Sequence, residues 1–161
     1  MLLIDHTLIE RDPMSYTNTP IAERIPALRP VYAALHDGVE TLMRVICGVI
    51  FAVHGFPKIM NPMGAAEMVS NLGFAPAAFW SVLLSVSEFV AGVLLAIGFL
   101  TRPAAFVASI ILAVTVYAHW VAFGQGYAGS EKSILWLGMS IFFAVRGANK
   151  HSVDAKIGKQ F

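Results

Sequence analysis

The 161-residue chain contains a single cysteine, Cys47. One thiol excludes an intrachain disulfide, a CxxC redox pair and a cysteine zinc cage. Charge is also scarce. Asp, Glu, Lys and Arg make up 13% of the residues, against about a quarter in a soluble domain, and the net charge is +1. That balance gives no general attraction to nucleic acid, and no basic patch interleaves with aromatic residues. There is no low-complexity block and no haem, flavin or iron–sulfur motif. The opening Met-Leu-Leu-Ile runs straight into Asp5 and His6 without a basic stretch, so it does not read as a signal peptide. What the chain has in abundance is apolar side chains: 57% of its residues, for a mean hydropathy of +0.70. A soluble fold of this size would lack the polar residues to cover its exterior, so lipid is the expected solvent.

Residues 1–37 differ from the rest. They carry Asp5, Glu10, Arg11, Asp12, Glu23, Arg24, Arg29 and Asp37, with prolines at 13, 20, 26 and 30 that prevent one long helix. They are read as a partly irregular extension, with Pro30 to Glu40 as a candidate short surface helix. Four apolar segments follow, over residues 41–60, 77–100, 103–123 and 131–146. A span needs about 20 residues at 1.5 Å each to cross roughly 30 Å of hydrocarbon. Pro57 and Pro62 should loosen the end of the first span. Pro76 suits the first turn of the second, Thr101 is a candidate N-cap of the third, and Ser130 of the fourth. The loop from Asn61 to Pro76 has room for one or two helical turns at the interface. Short connections favour antiparallel neighbours. The expected fold is therefore all-α, a four-helix transmembrane up-down bundle over residues 38–148, with the N-terminal extension before it and a short basic tail, 149–161, after it.

Lys and Arg set the expected orientation. One side has Arg11, Arg24, Arg29, Arg102, Arg146, Lys150, Lys156 and Lys159, with Arg44 near it; the other has Lys58 and Lys132. This bias places both termini in the cytoplasm. Trp80, Trp120 and Tyr127 would then lie near the outer interface.

Glu88 is the most informative polar residue. It lies about 17 Å into the second span, near mid-membrane, where a lone charge costs at least ~2.5–3.5 kcal/mol. It needs a proton, a partner or a wet cavity. Ser81, Ser85, Glu88 and Gly92 share one helix face, and Arg44, Cys47, Phe51, His54 and Lys58 form a stripe at spacings of 3, 4, 3 and 4 on the first span. Side chains lean toward the N-terminus of their own helix, so Glu88, His54 and His119 are expected to approach one pocket in the outer half, with Lys58 and Glu131 at its rim. Each has a plainer reading. Glu88 can be a structural ion-pair partner, and the histidines can be hydrated or bonded to a carbonyl. Arg44 reads as a structural charge, snorkelling at the inner interface, Cys47 as a buried small residue, and Lys132 and the tail as topology determinants. Ser81, Ser85 and Gly92 can serve only close helix approach.

These residues resemble the DoxX family. The resemblance rests on Arg44, Gly48, Phe51-Ala52-Val53-His54-Gly55 and Lys58, and on Glu88-Phe89-Val90-Ala91-Gly92 with Leu94, Leu95, Gly98 and Thr101-Arg102. It also rests on His119 and on Gly147 followed by Ser152-Val153-Asp154, covering roughly residues 40–156. It implies a multi-pass protein of the bacterial or archaeal inner (cytoplasmic) membrane, an accessory partner in redox or oxidative-stress complexes. The paired cysteines of the related vitamin K epoxide reductase type of bundle are absent.

Three functions follow as expectations. In the first, the protein is a subunit of a redox, quinone-linked membrane complex. Glu88, His54 and His119 then line a quinone or proton site, with Lys58, Glu131 and Trp80 around it, and an apolar slot is supplied by Phe51, Phe89, Trp80 and Trp120. With no intrinsic cofactor, electrons come from a protein partner, so the chain is not expected to be a self-sufficient enzyme. In the second, it is a non-catalytic assembly or anchoring subunit whose extension and tail dock partners. In the third, it is a small-molecule or proton conduit. A two-histidine, one-carboxylate metal site is conceivable from the same residues, but no metal is assigned.

Overall fold

A computed structural model describes residues 26–159. Regular structure among them is helical throughout. A 3₁₀ turn, Pro26–Leu28, precedes α1 (Arg29–Met60), α2 (Ala66–Asn71), α3 (Ala77–Ile97), α4 (Thr101–Tyr117), a π turn (Ala118–Ala122), α5 (Gly126–Arg146) and α6 (Val153–Lys156). The chain divides into two compact units between Gly38 and Val39. The described part of the first is the 3₁₀ turn and the opening turns of α1, with Val31, Tyr32 and Leu35 exposed. All that follows concerns the second. Residues 1–25, which hold most of the charged extension, lie outside the described residues.

Three helical stretches, Pro30–Met60, Ala77–Ile97 and Thr101–Ala122, are long and apolar enough to cross a bilayer. The 21 residues of α5 have the length, but Glu131 and Lys132 cut into its apolar run. Only about a third of each span's most apolar window is buried. Large apolar side chains such as Val53, Phe106, Leu135 and Val145 point outward instead. That inside-out distribution is what lipid permits and water penalises.

Small residues let the helices approach. A Cβ on Gly48 would collide with the backbone of Ala96, and one on Gly92 with the backbone of Ala52. Lower on the same seam, Gly55 meets Phe89, whose N would lie 2.5 Å from an added Cβ. α1 and α3 thus pack antiparallel, backbone against backbone, as small-xxx-small faces do. The other side of α1 packs antiparallel on α5: Cys47 Sγ lies 3.8 Å from Ser140 Oγ, and the His54 ring meets Trp136 edge-on at 5.1 Å. Buried Leu95, Ala105 and Phe143 join Cys47 in one core cluster; Phe51, Ala91, Ala104, Ala108 and Leu112 form the second. The four long helices close into a bundle.

At one end, the tail is tied under the bundle rather than left as a basic appendage. Arg44 is 2% exposed. Its Nη1 donates to the carbonyls of Leu95 (2.7 Å) and Ala96 (2.8 Å), and its Nη2 to that of His151 (2.9 Å). It therefore satisfies the last carbonyls of α3, where a cation also meets the negative end of the helix. The expected snorkelling anchor is a buried cap instead. Gly98 ends α3 with φ 71°, and a Cβ there would lie 2.5 Å from Arg44 Nη1, so both backbone and space demand glycine. Asp154, 1% exposed, accepts from Leu100 N (2.9 Å), Thr101 N (3.0 Å) and Thr101 Oγ1 (2.9 Å). The cap of α4 is thus Asp154 from the tail, and Thr101 is already inside the helix. Glu40 and Arg146 form a two-pronged ion pair at 2.9 and 3.1 Å, and Thr41 exchanges hydrogen bonds with Asn149.

At the other end, α1 runs through Pro57 to Met60, and α2 forms the short helix foreseen in the loop. Since Gly55 sits level with Glu88 and Phe89, α1 stops roughly two turns short of the start of α3. Residues 61–76 fill that gap, pinned by Ser81 Oγ donating to Pro62 O at 2.6 Å. Ser130 does not cap α5, which begins at Gly126; its hydroxyl bonds back to Gly126 O at 3.0 Å.

Candidate functional site

Beneath this roof lies a cavity of about 770 Å³. Its walls are α3 (Trp80, Leu83, Leu84, Ser87), α4 (Val107, Ile110, Ile111, Val114, Thr115) and the π turn (Ala118, His119) with Phe123. Met68, Val69, Leu72 and Phe74 form the roof, and Lys58 closes the wall toward α1. The lining is overwhelmingly apolar. Hydrogen-bonding side chains are few: Lys58, Ser87, Thr115, His119 and the Trp80 indole, with Thr115 Oγ1 already bonded to Ile111 O.

Glu88 stands just behind Lys58. It is 4% exposed, and its Oε2 accepts from Lys58 Nζ at 2.5 Å. The pair follows from helix direction. Lys58 leans back toward the start of α1, Glu88 leans toward the start of α3, and antiparallel packing turns these leans toward one another. Lys58, whose side chain is 36% exposed, lines the cavity and is at the same time the partner of the buried carboxylate. Ser81, Ser85 and Gly92 do share the buried face with Glu88, as the spacing implies. Ser85 Oγ bonds Ser81 O at 2.8 Å, and Gly92 meets α1.

The two histidines do not converge on Glu88. His54 is exposed on the α1–α5 side, against Trp136. His119 lies in the π turn, where Phe123 N reaches back five residues to Ala118 O at 2.8 Å. Its Nδ1 is 2.7 Å from Gln125 Oε1. That contact occupies one ring nitrogen and leaves Nε2 as the other hydrogen-bonding position of the ring. The ligand atoms of His54, His119 and Glu88 do not come within 4.8 Å of one another, so no metal triad forms from them. Glu131 is exposed on α5 and lines no part of the cavity, whereas Trp80 lines it at the roof end and packs on Phe74 at 5.3 Å. Of the expected apolar slot, Trp80 alone contributes; Phe51 is in the core, Phe89 packs on Phe56, and Trp120 on Tyr127.

Some residues of the site had no reading in the chain. Gln125 follows a glycine in a loop and meets His119 only because the π turn offsets the helix. Ser87 lies one residue from Glu88 yet faces the cavity rather than α1. For Asp154 a signal existed: it sits two residues after Ser152 in the segment that carried the family resemblance.

Fold and site together define a multi-pass membrane protein, embedded in lipid, with an apolar cavity and a half-buried ion pair whose lysine lines it. The chain belongs to the DoxX family, whose model, DoxX, matches residues 39–120. It is 26% identical over 122 residues to "Inner membrane protein YphA" of Escherichia coli (strain K12), covering 71% of this chain and 87% of that protein. It is also 26% identical over 121 residues to "Putative oxidoreductase CatD" of Bacillus subtilis (strain 168), covering 73% and 86%. No solved structure matches the chain.

Proposed function

We propose that the protein is a quinone-binding subunit of a redox complex in the inner membrane. The observation that carries this reading is the apolar cavity with a Lys58–Glu88 ion pair set into its wall. A quinone ring is flat, apolar and edged by carbonyl acceptors, and the cavity offers an apolar slot with a few donors. Lys58 donates to such a carbonyl while Glu88 holds and orients its amino group; His119, anchored through Nδ1 by Gln125, offers Nε2 as a hydrogen-bonding partner to a ring oxygen. A bound quinone supplies the two-electron chemistry. The chain's own residues hold the ring, exclude water and hold or pass protons. Electrons come from a protein partner. The CatD relative, named as an oxidoreductase, supports the redox setting.

The excess of Lys and Arg at the tail end supports an orientation with that end in the cytoplasm and the roofed cavity in the outer half. The reading as an anchoring subunit loses part of its basis, because the tail is tied down by Arg44 and Asp154.

Native mass spectrometry of protein extracted with its lipids tests the proposal. Wild type should carry quinone, and Lys58→Met should carry less. Quinone-free wild type from quinone-replete membranes would refute it.

A further inference from the structure

The cavity has two unequal sides. Toward the loop end it is covered by the roof segment, where Val69 is buried and Phe74 packs on Trp80. Toward the lipid its wall is the seam between α3 and α4, and that seam is lined by residues open to the outside: Leu83 is 42% exposed, Val107 37% and Ile110 51%. The same side chains therefore belong to the cavity wall and to the lipid-facing surface. On α4, Val107, Ile110 and Val114 are spaced three and four apart, an unbroken apolar ridge about 10 Å long. Between Val107 and Val114 no hydrogen-bonding side chain of α4 lines the cavity; Thr115, and His119 in the π turn, lie beyond the ridge toward the roof. Ser87 and Lys58 face this stretch from α3 and α1, so it is the α4 side of the cavity that is bare hydrocarbon where the wall meets the bilayer.

We infer that the ligand enters sideways from the bilayer between α3 and α4. It is a tail-bearing lipid-soluble molecule whose chain leaves the cavity along the Val107–Ile110–Val114 ridge. This rests on the reading of the cavity as a quinone site and specifies which quinones fit: those with a single flexible tail, delivered from the membrane. The ridge adds little affinity for the tail, because lipid is as apolar as the groove. Its role is to give the tail an unobstructed exit.

The test is a plug at the seam. Val107→Phe/Ile110→Phe enlarges two side chains that are already part-exposed, where bulk is tolerated. Binding of a decyl-tailed benzoquinone, and of the same ring with methyl in place of decyl, is measured in nanodiscs and expressed per mole fraction in the lipid. The wild-type protein should bind both within about threefold of each other. The plugged variant should lose at least tenfold for the decyl compound and several-fold less for the methyl compound, and an unfolding temperature in the same nanodiscs within 3 °C of wild type shows that it is folded. Equal losses for both compounds, or no loss for either, overturn the lateral exit while leaving the quinone reading standing. If wild type binds neither ring, the quinone reading falls and this inference falls with it.

Discussion

Removing the Asp154 carboxylate should loosen the whole tail end of the bundle. The group is almost fully buried and accepts three hydrogen bonds, from Leu100 N, Thr101 N and Thr101 Oγ1. Hydrogen bonds to a charged group contribute about 1.5–3 kcal/mol each, and a donor left buried without a partner costs about 1–3 kcal/mol. The three donors share one acceptor group, so their losses do not add in full. A loss of about 4 kcal/mol for Asp154→Ala is a working figure, against the 5–15 kcal/mol that typically separates folded from unfolded chains. At about 2–4 °C per kcal/mol for a protein of this size, Tm should fall by about 8–16 °C. Leu100 adds to the effect. It is held at φ 49°, in the left-handed region, and the carboxylate that receives its N–H is part of what keeps it there. The assay is thermal unfolding in one detergent followed by circular dichroism, paired with limited trypsin digestion. Lys150, Lys156 and Lys159 should become cleavable at temperatures where wild type resists. A double-mutant cycle with Thr101→Val should return a coupling of about 1 kcal/mol. A Tm shift below 3 °C with unchanged tail proteolysis would refute the capping role.

The Lys58–Glu88 pair should respond asymmetrically. Lys58→Met strands a carboxylate that is almost wholly buried and should cost about 3–5 kcal/mol. Glu88→Gln leaves a part-exposed ammonium able to reach the cavity and should cost less, and Lys58→Met/Glu88→Gln should recover much of the loss, read as Tm in one detergent. Equal costs for the two single variants would contradict the burial difference. On the α1–α3 seam, Gly48→Ala and Gly92→Ala should each prevent normal packing, seen as aggregation or loss of the monodisperse peak in size-exclusion chromatography. Gly138→Ala, with open space around the site, should be neutral or stabilising by up to ~1 kcal/mol.

Membrane residence, the four apolar segments and the antiparallel order of the spans were legible in the chain. Each is a local property: hydropathy needs only a run of residues, and short links leave a helix no choice but to turn back. Glu88's need for a partner was legible too, because a mid-membrane carboxylate is costly wherever its neighbours lie. The identity of that partner was not. Lys58 reads only as a charge near the end of α1; the antiparallel packing of α1 on α3 brings its ammonium to the buried Glu88 carboxylate while leaving the side chain part-exposed. His54 and His119 share a helical logic with Glu88 but lie on different seams, because rotation about each helix axis is set by which face finds a small-residue groove. Asp154 and Arg44 tell the same story across distances of more than fifty residues in sequence. A charge near a helix end reads as an orientation signal until packing brings it under an unsatisfied carbonyl or amide. Periodicity along the chain reports which side chains share a face, but the face a helix turns toward its neighbour is chosen by close packing among all four, and that choice exists only once the bundle has closed.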